Sequence, residues 1–170
     1  MQAAQKISLA QAGWSDKEQH AWDEIKQMMI QAITTSFRDK RKRACIFTDA
    51  STQGWSYIIT QCEPNELQKP WHEQQHQLLA VNSGKFRNSQ IGWNMQCKEA
   101  YPIRHAAERH RHLLIGNLPF ASVNDHKTLT YVLDEPTRVS AISVAARDRL
   151  RRWAEYLRSY TFDTVHIWSR

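Results

Sequence analysis

Cysteine is scarce in this chain, and no apolar stretch is long. Cys45, Cys62 and Cys97 are the only cysteines in 170 residues, widely spaced and without a Cys-x-x-Cys pair. That arrangement argues against a disulfide framework and against a cysteine-rich zinc site, and it fits a reducing, intracellular setting. No window approaches the roughly 18 apolar residues of a membrane-spanning helix. The opening Met1-Gln2-Ala3-Ala4-Gln5-Lys6 has no apolar core of signal-peptide type. A glycine-rich phosphate loop is also missing, which disfavours a nucleotide-binding or sugar-kinase-like reading. Internal repeats and low-complexity tracts are absent.

The composition otherwise suits a folded domain. Hydrophobic residues make up 41% and aromatics 10%, too many for a disordered chain. The length allows one domain with appendages. Lys and Arg number 23 against 17 Asp and Glu, a net charge of +6, which favours anionic partners such as nucleic acid.

Residues 1–13 show no clear period. Ser15-Asp16-Lys17-Glu18 predicts a capping box, and Trp22, Ile25, Met29 and Ile33 mark one face of the helix that follows. This helical leader spans 1–43 and ends in the charge run Arg38-Asp39-Lys40-Arg41-Lys42-Arg43, read as a solvated linker with a phosphate patch as the alternative. From residue 44 the pattern turns to strands. Cys45-Ile46-Phe47, Trp55–Gln61 and Leu78–Val81 predict an antiparallel meander. A long helix follows from an Asn94 cap, with Ile103, Ala106 or Ala107, and Leu113 or Leu114 on its buried stripe and Glu99 sharing that face. Pro102 conflicts with it, because proline inside a helix costs about 3 kcal/mol. The expectation is a kink there or a later helix start, with Gly116-Asn117 as the stop. Pro119–Asn124 predicts a strand ending on Asp125. A short helix is expected over 126–133 and a loop over 137–143. The last helix carries Ala146, Leu150, Trp153 and Leu157 on one face and Arg147, Arg149, Arg151, Arg152 and Arg158 on the other. A strand over 161–167 closes the order β-β-β-α-β-α-α-β.

Asp49 and Asp125 both end strands, and Glu99 faces the sheet from a helix. Ligands gather beyond the carboxyl ends of strands in α/β sheets, and clustered carboxylates need cations to offset their repulsion. Hard oxygen donors of this kind suit Mg²⁺ or Mn²⁺. The ordinary alternatives are a turn at Asp49 and a helix cap at Asp125. His72, His76, His105, His110 and His112 are read as exposed, and Trp93, Trp153 and Phe162 as core.

Several runs together carry a resemblance. Phe47-Thr48-Asp49-Ala50-Ser51-x-x-Gly54-Trp55, Ser83-Gly84-Lys85-Phe86, Gln90-x-x-Trp93, Lys98-Glu99-Ala100-Tyr101 and Asp125-His126-Lys127-x-Leu129-Thr130-Tyr131 stand in order. Arg152-Trp153-Ala154, Tyr160-x-Phe162 and His166-Ile167 continue the series. Residues 44–167 thereby resemble the ribonuclease H domain of Ty3/gypsy-type retrotransposon polyproteins, and the leader resembles the end of the reverse transcriptase connection. The resemblance implies an α/β, RNase H-like fold over 44–170, with a mixed five-stranded sheet flanked by helices and its first three strands antiparallel. It implies Asp49, Glu99 and Asp125 as catalytic, metal-holding acids for two Mg²⁺ (or Mn²⁺) ions, and cleavage of the RNA strand of an RNA–DNA hybrid. Lys85, Arg87, Arg147, Arg151 and Arg152 would contact the hybrid's backbone, and the reverse transcriptase domain of the same polyprotein would be a partner. Departures are Ser56 for a glycine, Asn124 for a threonine, and the lack of a fourth acid after His166-Ile167, where only Trp168-Ser169-Arg170 follow. No polymerase signature of paired aspartates occurs. The expectation is a C-terminally truncated fragment, with a catalytically incomplete remnant that binds nucleic acid or is purely structural as the alternative.

Overall fold

A computed structural model describes residues 13–32, 35–125 and 142–166. The chain divides into two compact units between residues 34 and 35. In the first, helix α1 (Asp16–Ala32) starts at the expected cap. The Glu18 carboxylate accepts the Ser15 N–H at 2.8 Å, and the Ser15 hydroxyl accepts the Lys17 N–H at 3.3 Å. The side chains expected to continue the α1 stripe at Met29 and Ile33 lie outside the described residues, as do the short helix over 126–133 and most of the loop over 137–143.

The second unit is built on a five-stranded sheet of order β3-β2-β1-β4-β5. Strands β1 (Arg43–Ala50), β2 (Gly54–Cys62) and β3 (Gln77–Lys85) form the antiparallel meander. Two 3₁₀ turns, Pro64–Gln68 and Trp71–Glu73, separate β2 from β3. Strand β4 (Phe120–Asn124) pairs parallel with β1, and β5 (Phe162–His166) parallel with β4. Between them come α2 (Asn88–Ile91), α3 (Met95–Arg109), α4 (Arg111–Leu114) and α5 (Val144–Leu157). The first three strands thus lie antiparallel and the remaining two parallel, in a mixed sheet flanked by helices.

Each face of the sheet has its own apolar layer. Ala44, Ile46, Tyr57 and Ile59 meet Ile103 and Ala106 of α3 and Leu150 and Leu157 of α5. Trp93, Trp153 and Phe162 pack against this core, and Trp93 and Trp153 lie 5.5 Å apart between ring centres. On the other face Cys45, Cys62, Ala121 and Val123 are covered by Phe47, Leu67, Trp71 and Val165.

Several expectations are corrected. Strand β3 runs through Ser83-Gly84 to Lys85, longer than the apolar run alone. Gly84 stands opposite Trp55, and a Cβ there would lie 2.7 Å from the indole Cζ2. Helix α3 begins at Met95 and continues through buried Pro102, so Glu99 sits in a regular helix. Asn94 caps it by accepting the Cys97 N–H at 3.1 Å. The helix stops at His110, earlier than expected, before the short α4. Gly116 has no positive φ; a Cβ on it would come within 2.5 Å of Arg38 Nη2, so its role is to admit that guanidinium.

The charge run is not a solvated linker either. Arg38 Nε donates to the Leu113 carbonyl at 2.6 Å, and the buried Gln61 amide binds the Asp39 N–H (2.9 Å) and the Phe37 carbonyl (2.9 Å). Arg41 pairs with Asp39 at 2.9 Å, holding that carboxyl down to about 2. Lys42 pairs with Glu63, and Arg43 with Asp163 of β5. These residues fasten the segment to the sheet.

Candidate active site

The parallel pairing of β1 with β4 sets the site's geometry. Its register ends at Phe47↔Val123, so Asp49 and Asp125 each stand two residues beyond the last partners, at the same edge of the sheet. Both are exposed. Glu99, from the second turn of α3, is only 3% exposed. Burial first, then the negative charges of Asp125 and Asp49, push its carboxyl up from 4.5 to about 7. The charges of Asp49 and Asp125 thus reach Glu99 from the edge of the sheet. The Glu99 Oε2 atom has no hydrogen-bond partner among the described residues.

Other buried polar atoms adjoin the acids in sequence. Thr48 Oγ1, Ser122 Oγ and both amide atoms of Asn124 lack partners among the described residues. Buried groups in this state cost free energy unless a partner arrives. The three carboxylates, one with an orphaned buried oxygen, are hard, anionic donors of the type that suits Mg²⁺ or Mn²⁺.

Two further residues brace the acids. The nearly buried Lys98 donates from Nζ to the Thr52 carbonyl at 2.7 Å, fixing the β1–β2 turn just after Asp49. Within that turn the Ser51 hydroxyl accepts the Gly54 N–H at 3.0 Å. His166 of β5 binds the Asp125 backbone carbonyl through Nε2 at 2.9 Å. A carbonyl only accepts, so Nε2 carries the proton. The sequence showed Lys98 and His166 only as motif neighbours, because neither bond has a local spacing signal.

A cleft of about 370 Å³ opens beside Asp49 and is lined by Ser51, Trp55, Ser83, Gly84 and Lys85. Lys85 is thus brought to the same cleft as Asp49. Arg87, exposed, follows it immediately before α2. Arg147, Arg151 and Arg152 stand on α5 and do not line this cleft. Arg152 is exposed, Arg151 pairs with Glu155 at 3.3 Å, and Arg147 is half-buried. The Arg149 guanidinium carbon sits over Trp93, 4.4 Å from the ring centre, so this arginine serves packing.

Among the described residues no helix is long and apolar enough to cross a membrane. Residues 39–160 match the family model described as the RNase H-like domain found in reverse transcriptase. The Tf2-3 and Tf2-4 transposon polyproteins of Schizosaccharomyces pombe are each 23% identical over 151 residues. That is 88% of this chain but 10% of theirs, so the chain spans about a tenth of the length of these relatives. Among solved structures, the foamy viral protease-reverse transcriptase in complex with dsDNA aligns with a TM-score of 0.60 at 14% identity, covering 92% of this chain and 30% of that one. The same viral protein in complex with an RNA/DNA hybrid gives 0.57 at 16%, covering 89% and 19%. At such identities the likeness concerns the fold, and that fold is the RNase H-like one. With the match spanning both the acid-bearing strands and the helix of Glu99, the chain belongs to the family of RNase H-like domains found in reverse transcriptases.

Proposed function

We propose that this domain is a divalent-metal-dependent endonuclease that hydrolyses the RNA strand of RNA–DNA hybrids, working as part of a retrotransposon reverse transcriptase polyprotein. The observation that carries this reading is Glu99: a buried carboxyl with a free oxygen, pushed up first by burial and further by the charges of Asp125 and Asp49. A purely structural acid trio would gain nothing from that repulsion. With Asp49, Glu99 and Asp125 as ligands, Mg²⁺ or Mn²⁺ would supply water activation and neutralise charge at the scissile phosphate.

The chain's own residues do the rest. Asp49 and Asp125 present their side-chain oxygens at the sheet edge, and Glu99 must lose its proton to join them as a ligand. Lys98 and His166 hold the backbone that carries the two aspartates. Lys85 and Arg87 would hold the hybrid's phosphates beside Asp49, with Arg147, Arg151 and Arg152 of α5 offering further phosphate contacts, a salt-dependent mode of binding. The reverse transcriptase domain of the polyprotein would be the natural neighbour of this domain.

The test is cleavage of a labelled RNA–DNA hybrid with Mg²⁺ by the chain and by its Asp49→Asn variant. RNA-strand cleavage by the first, lost in the second, supports the reading. Equal cleavage by both, or none by either, overturns it.

A further inference from the structure

Cys45, Cys62 and His76 converge on the sheet face opposite α3, and their Sγ, Sγ and ring-nitrogen atoms all lie within 4.8 Å of one another. We infer that these three residues form a second metal site, built for one thiophilic d¹⁰ cation of the Zn²⁺ class and independent of the acids at the other end of β1.

The sheet places the ligands. Cys45 stands opposite Thr60, and Cys62 opposite Arg43, so the two sulfurs are diagonal neighbours on one face of the β1–β2 pair. His76 enters from the segment just before β3. Both cysteines are buried. Two buried cysteines alone would be ordinary small fillers beside Ala121 and Val123. The histidine distinguishes them.

The His76 ring is already held as a ligand would be. Its Nε2 meets the side-chain oxygen of Gln74 at 3.0 Å, and its Nδ1 meets the Thr60 hydroxyl at 2.8 Å. The amide oxygen only accepts, so Nε2 carries the proton and Nδ1 keeps its lone pair. That lone pair faces Thr60, the residue directly across the strand from Cys45, and a rotating hydroxyl can yield it. Donation of the remote N–H to a fixed acceptor is the outer-shell arrangement that orients metal-binding histidines. Phe47 meets the ring edge-on at 5.3 Å and Trp71 lies nearly parallel to it at 6.2 Å, fixing its plane.

Charge and coordination both close. Two thiols release two protons, and two thiolates with Zn²⁺ form a neutral unit, so no net charge is left in the apolar layer. Three protein ligands leave one tetrahedral position. A cleft of about 260 Å³ lined by Cys62, Glu66, Gln75 and His76 gives water access to it. Glu66 is not that ligand, because its oxygens are taken by Lys69 Nζ (2.7 Å) and the Gln75 N–H (3.0 Å).

The test uses the full chain, reduced, with Mg²⁺ in large excess to occupy oxygen sites. Titration with Co²⁺ is expected to give a sulfur-to-cobalt charge-transfer band saturating at one equivalent, bleached by Zn²⁺. Native mass spectrometry is expected to show one zinc gained and two protons lost. Asp49→Asn and Glu99→Gln should retain the band. Cys62→Ser and His76→Ala should weaken Co²⁺ binding at least tenfold. If either variant fails to fold, the wild-type mass balance and a chelator-reversible rise in Tm with Zn²⁺ decide. A missing band, a band that survives both substitutions, or a Cys45–Cys62 disulfide formed in place of metal binding overturns the inference.

Discussion

His166 donates its Nε2–H to the backbone carbonyl of Asp125, 2.9 Å away, and so ties the last described strand to an acid forty-one residues earlier. The bond acts on the position of Asp125 and leaves its carboxylate free. His166→Ala is therefore expected to lower kcat for hybrid cleavage about tenfold, equivalent to ~1.4 kcal/mol of barrier, with KM nearly unchanged. Steady-state kinetics on a labelled hybrid check the split; an equal rise in KM would place His166 in substrate binding.

Glu99 makes metal-free stability depend on pH. Its folded carboxyl titrates at about 7, raised from 4.5, so the fold keeps a proton that the unfolded chain has lost. The stability this group contributes is fully present below about pH 4.5 and is lost as pH rises through 7. In EDTA, Glu99→Gln should raise Tm at pH 8 by several degrees, at roughly 2–4 °C per kcal/mol for a chain of this size. The gain should vanish near pH 4. Thermal melts across this range are decisive, and a pH-independent difference would remove Glu99 from the explanation.

Mg²⁺ should act on the same group in the opposite direction. Binding needs the ionised carboxylate, so the Tm increment from Mg²⁺ should grow between pH 6 and 8 in the wild type. In Glu99→Gln the increment should be smaller and flat. Parallel melts at fixed free Mg²⁺ measure it.

Gly84→Ala tests the packing that forms the cleft wall. The new methyl would meet Trp55 Cζ2 at 2.7 Å, so the indole must move or the β2–β3 pairing must open. Overpacking of this kind costs about 1–3 kcal/mol. Urea denaturation should show a lower midpoint with an unchanged m-value.

Lys85 and Arg152 should contribute to hybrid affinity as charges. Replacing either by Gln is expected to weaken binding whatever the sequence and to reduce the salt-dependence slope by about 1. Fluorescence anisotropy over a salt series reads this directly. An unchanged slope would mean that the residue faces away from the hybrid.

Most of the framework was legible because it rests on local signals. Apolar runs mark β1 and β2, Asn94 marks the start of α3, and the stripe through Ile103 puts Glu99 on the buried face. What escaped notice depends on residues far apart in the chain. The apolar run marks β3 only as far as Val81; its continuation through Gly84 rests on Trp55, which lies across from it. The run Arg38–Arg43 reads as solvated because its partners, Gln61, Leu113 and Asp163, come later. Pro102 looked disruptive on propensity alone, yet the packing of α3 against β1 and β2 keeps the helix whole around it, tertiary context overriding a local cost. His76 was read as exposed for the same reason, since nothing near it in sequence announces Cys45 or Cys62.

The central place of β1 has a consequence for how the site comes apart. That strand is paired along its whole length with β2, from Arg43↔Cys62 to Ala50↔Trp55, and flanked by β4 on its other side. Strand β4 is shorter and meets β1 only over Cys45–Phe47. Local opening should therefore free Asp125 long before Asp49, a hierarchy of protection of the kind seen in native-state exchange. Amide hydrogen exchange would then find the site dismantled from its β4 side, with the protons around Phe47 and Thr48 among the last to leave.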